Sequence, residues 1–164
     1  MRPNDKILVL TTGGTFDKIY FDAKSRFEVG SSIVGRLLDQ AQVKKPVEVL
    51  ELMRKDSLEL TDEDRSQIRS AVVASDIRHI VITHGTDTMT DTAAVLGGIN
   101  DRTIVMTGAL APARFAESDA VFNLGMAFGA AQSLPPGIYI AMNGKVFDAT
   151  RVRKDREQNA FVET

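Results

Sequence analysis

The stretch VITHGTDTMTDTAA, Val81–Ala94, decides how the rest of the chain is read. An apolar, β-branched run breaks at His84-Gly85, a cluster of hydroxyls and carboxylates follows, and small and apolar residues then recur at helical spacing. A short apolar run that stops at glycine reads as a buried strand. Asp87 or Thr88 at the start of the helical pattern reads as an N-cap. An N-cap accounts for one of these residues and leaves the cluster unexplained. Strand, glycine turn and helix form half of a βα unit, so the flanking sequence should alternate in the same way.

It does. Upstream, Lys6–Thr12 (KILVLTT) is an apolar run ending at Gly13-Gly14, and Phe16–Val29 is mixed, an extended excursion or a hairpin. Ser31 reads as the N-cap of a helix over Ile33–Ala41, and Pro46–Met53 alternates as a strand. Thr61 caps a helix through about Ala74, with Asp62, Glu63 and Asp64 in the first turn, where the macrodipole favours acids. Arg78–His84 is a strand, followed by a helix from Asp87 or Thr88 to about Ile99. Thr103–Thr107 is the next strand, then a loop containing Pro112 and a small-residue helix over Ala120–Gln132 that starts at Ser118 or Asp119. Gly137–Met142 is a fifth strand, and Lys145–Phe147 adds a short one.

Strands alternating with amphipathic helices imply an α/β domain with a mainly parallel sheet and right-handed crossovers. The expected architecture is a flavodoxin-like or Rossmann-like three-layer domain, in which ligands bind beyond the carboxyl ends of the strands. Three strand ends carry unusual chemistry: Thr11–Thr15, Arg54–Ser57 and His84–Thr88. A common strand direction would bring them to one edge of the sheet.

Composition narrows the function classes. The chain has 164 residues, 43% hydrophobic and 26% charged, which suits one globular domain over 1–164. A net charge of -2 gives no cause to expect nucleic acid or an anionic membrane as a partner. The absence of cysteine excludes thiolate nucleophiles, thiolate metal sites and disulfides, and two histidines make a multi-histidine metal site an unpromising reading. No apolar run approaches the ~20 residues that span a bilayer, and the start reads as leaderless, so the expected location is cytoplasmic. Neither a metal nor a cofactor is expected.

Each motif also has a plainer reading. Gly13-Gly14 could be a tight turn with positive φ, since neither a dinucleotide nor a P-loop pattern surrounds it. His84 reads first as a structural residue at a strand end. Thr150–Glu157 (TRVRKDRE) reads as a solvated charged face, with room for one lysine to turn inward.

Two of these stretches together change the balance. Thr12-Gly13-Gly14-Thr15 and His84-Gly85-Thr86-Asp87-Thr88-Met89 resemble, in order, the two signatures of the bacterial-type L-asparaginase family. Asp56-Ser57, Met106–Leu124 and Arg151–Lys154 are weaker matches. The resemblance covers nearly the whole chain and corresponds to the family's N-terminal domain, so a short, single-domain form is expected.

The resemblance implies hydrolysis of L-asparagine to L-aspartate and ammonia. Thr15 would attack the side-chain amide to form a β-acyl-enzyme, with Tyr20 polarising its hydroxyl. Thr86, Asp87 and Lys154 would form a second catalytic set. A lysine acting as a base near neutrality needs its pKa lowered by about three units from ~10.4, and a neighbouring carboxylate opposes that shift. Lys154 is therefore expected mainly to orient and polarise Thr86. Ser57, Gly14, Gly85 and Asp87 would bind substrate, Ser57 at the α-carboxylate and Asp87 at the α-ammonium. Leu58 stands where the family usually carries a polar residue. A homo-oligomer, dimer or tetramer, is also implied. Two rivals stay open: an amide hydrolase or amidotransferase acting on glutamine or amidated tRNA, and a non-catalytic amino-acid-binding module.

Overall fold

The structure, a computed structural model, describes residues 5–21, 26–29 and 32–164, and of residues 19–21 and 26–29 it describes the backbone alone. The strands are β1 (Ile7–Gly13), β2 (Lys18–Phe21), β3 (Arg26–Val29), β4 (Val47–Lys55), β5 (His79–Thr83), β6 (Thr103–Thr107), β7 (Gly137–Met142), β8 (Lys145–Asp148), β9 (Val152–Asp155) and β10 (Ala160–Glu163). The helices are α1 (Val34–Gln40), α2 (Asp62–Ala74), α3 (Met89–Val95) and α4 (Ala120–Ser133). The main sheet has the order β4-β1-β5-β6-β7-β8. Its first five strands are parallel, and β8 closes the edge antiparallel to β7. The order reverses at β1, so the crevice beside β1 and β5 is the place where such sheets bind ligands.

Alternation along the strands divides the core in two. Leu8, Leu10, Ile80, Ile82, Ile104 and Met106 face one side and pack on α2, α3 and the β9–β10 hairpin through Ile68, Val72, Met89, Leu96, Val152 and Phe161. Ile7, Val9, Val81 and Val105 face the other side and pack on α1 and α4 through Val34, Leu37, Leu124, Ala127 and Phe128. Each such side chain contributes roughly 1.5–3 kcal/mol on burial. Coverage on both faces explains why the central strands are continuously apolar. This is the expected three-layer α/β architecture.

The expectation of uniform right-handed crossovers needs one correction. α1 connects β1 leftward to β4 on one face, and α2 and α3 connect β4 to β5 and β5 to β6 rightward on the other. Those three connections share a hand. α4 connects β6 to β7, also rightward, but lies on the face of α1, so this connection has the opposite hand. The loop before α4 is held for that route: Asp119 accepts from the amides of Leu110 and Ala111 and from the side chains of Asn123 and Asn143.

Local boundaries follow the chemistry. The Thr61 capping box at α2 forms as expected, with Thr61 and Asp64 bonding each other's amides. The mixed excursion is a hairpin, β2 pairing antiparallel with β3. The Ser31 cap lies outside the described residues; α1 starts after Ile33 with no side-chain cap bond. α3 ends at Val95, short of Ile99, because Gly97 and Gly98 follow and Gly98 takes φ +87°. The charged run after β7 is not simply a solvated face: Val152–Asp155 forms β9, which pairs with β10. Among the described residues, no helix is long and apolar enough to cross a membrane.

Candidate active site

The three strand ends meet. β4, β1 and β5 are adjacent and parallel, so Lys55, Gly13 and Thr83 end at one edge of the sheet. Gly14 follows β1 at φ +78°, and its amide donates to the Lys55 carbonyl at 2.9 Å. A Cβ on Gly14 would lie 2.5 Å from the Cα and N of Gly85. A Cβ on Gly85 would lie 2.5 Å from the Ser57 Cβ and 2.6 Å from its Oγ. Glycine at both positions therefore lets the chain after β1 pack on the chain after β5, and that chain on Ser57. Thr15 and Thr86 each follow one member of this glycine pair.

Thr86 is nearly buried, and its Oγ1 accepts from Lys154 Nζ at 2.7 Å. The same Nζ donates to Asp87 Oδ1 at 2.7 Å. Lys154 reaches the strand edge from β9, with its side chain 12% exposed. The ammonium is thus shared between a hydroxyl and a carboxylate. Arg156 Nε stands 4.0 Å from the same Asp87 oxygen. Asp87 Oδ2 takes no bond among the described residues, which leaves an acceptor for an incoming cation.

Thr88 is the N-cap residue of α3, as one plain reading had it, but its side chain makes no cap bond. Asp87 turns to Lys154, and Thr88, although at the N-cap of α3, donates its hydroxyl to the Ser57 carbonyl at 2.8 Å. Ser57 is buried, and its Oγ accepts weakly from the Thr88 amide at 3.4 Å, leaving the hydroxyl proton able to donate. His84 is structural. It is fully buried, with Nδ1 donating to the Gly85 carbonyl at 2.6 Å and Nε2 accepting from the Thr92 hydroxyl at 2.8 Å. Burial, against the Gly85 bond, lowers its pKa to about 4, so the ring is neutral near pH 7.

Thr15 opens a one-turn 3-10 helix, Thr15–Asp17, and is partly exposed, while Phe16 behind it is fully buried. Its hydroxyl takes no hydrogen bond among the described residues. Tyr20 lies in β2, its backbone paired with Phe27, and its side chain lies outside the described residues. Leu58 is 63% exposed beside Ser57, an apolar rim at the position that departs from the resembled pattern.

Two neighbours of the site had no role in the sequence reading. Lys18 Nζ lies 3.1 Å from Asp56 Oδ2, and Asp17 is buried directly after the Thr15 turn. Their spacing from Thr15 was visible. Their partners lie far along the chain, Asp56 just after β4 and Ile33 at the start of α1, so sequence alone held no signal for them.

Comparison with known proteins agrees with the geometry. The family described as "Asparaginase, N-terminal" matches residues 6–162. The L-asparaginase of Thermococcus kodakarensis is 33% identical over 161 residues, 91% of this chain and 47% of that protein. Its structure superposes with a TM-score of 0.82 at 32% identity, covering 96% of this chain and 51% of that one. A glutaminase-asparaginase of Acinetobacter glutaminasificans is 27% identical, covering 92% of this chain and 50% of that protein. A glutamyl-tRNA(Gln) amidotransferase subunit of Methanococcus vannielii is 31% identical, covering 89% of this chain and 36% of that protein. The chain therefore spans half or less of the length of these curated relatives. A match over nearly all of its residues, on the same fold and through both threonine-bearing strand ends, makes this chain a member of the asparaginase family, corresponding to its N-terminal domain.

Proposed function

We propose that the protein hydrolyses the side-chain amide of L-asparagine to L-aspartate and ammonia. The observation that carries this reading is the Lys154 ammonium held 2.7 Å from both the Thr86 hydroxyl and the Asp87 carboxylate at the edge where Thr15 emerges. Thr15 Oγ attacks the amide carbon, its proton passes toward the leaving nitrogen, and the C–N bond breaks to release ammonia and leave a β-ester. Water then adds to the ester carbonyl, the bond to Thr15 Oγ breaks, and aspartate is released as the Thr15 hydroxyl is regenerated.

A threonine hydroxyl needs a neighbour to take its proton. In this reading Tyr20 serves Thr15, and Thr86 with Lys154 relays the proton. The Thr86 amide, at a strand-to-helix turn, stabilises the oxyanion. Ser57 donates to the substrate α-carboxylate, Asp87 Oδ2 receives the α-ammonium, and Gly14 and Gly85 allow close approach. Residues 1–164 act as one catalytic domain within a cytoplasmic homo-oligomer, which sedimentation would test.

The identity to the amidotransferase subunit favours one second reading, amide hydrolysis on glutamine or an amidated carrier. Ammonia release from asparagine and from glutamine by wild type and Thr15→Ala tests both. Release from asparagine that disappears in Thr15→Ala supports the proposal. Release from glutamine alone favours the second reading.

A further inference from the structure

We propose that Asp17 is a positioning residue of this site: its carboxylate ties the turn that carries Thr15 to the start of α1 and so holds the base of the β2–β3 hairpin. The role rests on the reading of Thr15 as nucleophile.

Asp17 is 1% exposed and ends the Thr15 turn. Its Oδ1 accepts from the Ile33 amide at 3.2 Å, and the Ser32 hydroxyl near it favours the charged carboxylate. The preceding amide, of Ser32, donates to Glu51 Oε2 on β4 at 3.3 Å. Two carboxylates, one from the Thr15 turn and one from β4, thus grip consecutive amides where the chain enters α1. On the other leg of the hairpin, Lys18 pairs with Asp56, the residue before Ser57. One leg is therefore tied to β4 and the other to Asp56 just after it, and Asp17 bridges between the legs. Ile33, at the N-cap of α1, makes no side-chain cap bond, so the start of that helix is held by the Asp17 tie together with Ser32 Oγ, which accepts from the Val34 amide at 3.3 Å.

The charged groups facing Asp17 are Glu51 from β4 and Arg114 from the loop after β6. Burial, the largest influence, together with Glu51 raises its pKa to about 6, against the Ser32 and Ile33 bonds and Arg114. The ionised carboxylate makes charge-assisted bonds, about twice as strong as neutral ones. Protonation weakens the tie and frees the turn beneath Thr15. Substrate binding at Ser57 and Asp87 is left largely intact, so kcat should change more than KM.

The test is the pH profile of ammonia release from asparagine, over about pH 5 to 8, for wild type, Asp17→Asn and Asp17→Ala. Wild-type kcat should fall in acid with a midpoint near the Asp17 value of about 6. Asp17→Asn should be flat across that range, about tenfold lower at the alkaline end, with a raised Tm and KM within about threefold. Asp17→Ala should be lower still; if it does not fold, the isosteric Asn variant decides. An Asn variant that keeps the wild-type limb, or that moves Tm while leaving kcat untouched, makes Asp17 merely structural and overturns the proposal. If wild type releases no ammonia, the proposed substrate fails, and the tie is judged separately by the Ile33 amide resonance. That resonance should titrate with the Asp17 midpoint in wild type and not in Asp17→Asn; a signal that does not titrate overturns the tie.

Discussion

Two neighbouring strands each lead through a glycine to a threonine, Thr15 and Thr86, and the two hydroxyls are held in different ways. Thr86 is wired: Lys154 donates to it, Asp87 shares the same ammonium, and His84 and Thr88 bind the flanking chain to Thr92 and Ser57. Thr15 is positioned by its backbone. Gly14 packs on Gly85, Phe16 is buried behind it, and the polar tie belongs to Asp17. The contrast suits two roles. A hydroxyl that relays protons benefits from fixed partners, whereas a nucleophile must turn from its resting rotamer toward substrate.

Removing either hydroxyl gives the largest expected effect. Thr15→Ala and Thr86→Ala should each lower kcat for asparagine by roughly 10³-fold or more with Tm unchanged. If Thr86 works through its lysine, Thr86→Ala with Lys154→Met should be little worse than either alone, since residues acting as a unit are not additive. Near-normal turnover in Thr15→Ala would dissolve the comparison altogether.

Stability tests the packing half of the contrast. Gly85→Ala forces a methyl against Ser57, and overpacking of this kind costs about 1–3 kcal/mol or more. Gly125 in α4 has nothing within 4 Å of the point where a Cβ would stand, so Gly125→Ala should stabilise by about 0.5–1 kcal/mol through helix propensity. Urea midpoints read both. A harmless Gly85→Ala would show that the glycine contact does not fix the β5 end.

The two regions also carry buried titratable groups with opposite signs. His84 falls from 6.5 to about 4 on folding, so its contribution is full above the unfolded value and is lost as pH falls toward 4. Asp17 rises from 3.8 to about 6, so its contribution is full below the unfolded value and is lost as pH rises through 6. Each amounts to roughly 3 kcal/mol at 1.36 kcal/mol per unit. Between the two folded values the slopes oppose, and wild-type stability should be nearly flat. Asp17→Asn should expose the His84 slope and be more stable than wild type above about pH 7 by up to roughly 3 kcal/mol. Denaturation curves on either side of the Asp17 midpoint check this; a variant that parallels wild type would mean that Asp17 does not titrate there.

The smallest expected effect is substrate choice. A pocket anchored on the α-groups should prefer asparagine to glutamine by about 1–3 kcal/mol in kcat/KM, the usual discrimination for one methylene. Equal values for the two substrates would place the selective contacts elsewhere than Ser57 and Asp87.

The sequence made much of this legible because the signals were local. Apolar runs ending at Gly13 and Gly85 marked β1 and β5, and Thr61 with Asp64 marked α2. Grouping the strand ends needed only a common strand direction. The residues that escaped act at a distance. Asp17 is bonded by the Ile33 amide and faces the like charge of Glu51, and Lys18 pairs with Asp56, contacts formed only once the sheet is assembled. β9 was hidden because its four residues, Val-Arg-Lys-Asp, show one apolar contact and three charges. The face chosen by α4 was illegible for a similar reason: an almost uniformly small and apolar helix suits either side of a sheet.

That choice has a consequence for how the chain reaches its native state. A right-handed βαβ unit is favoured by the twist of its own strands, so it can dock from local information. The β6–α4–β7 connection has the opposite hand to its three fellows and lacks that guidance. α4 has to dock against β5 and β6 already in place, using Ala127 and Leu124 against the face of Val81 and Val105. It is accordingly expected to be a late-forming element. Truncations in α4 should speed unfolding and leave the folding rate nearly unchanged, whereas truncations of Val9 or Ile82 at the sheet centre should slow folding.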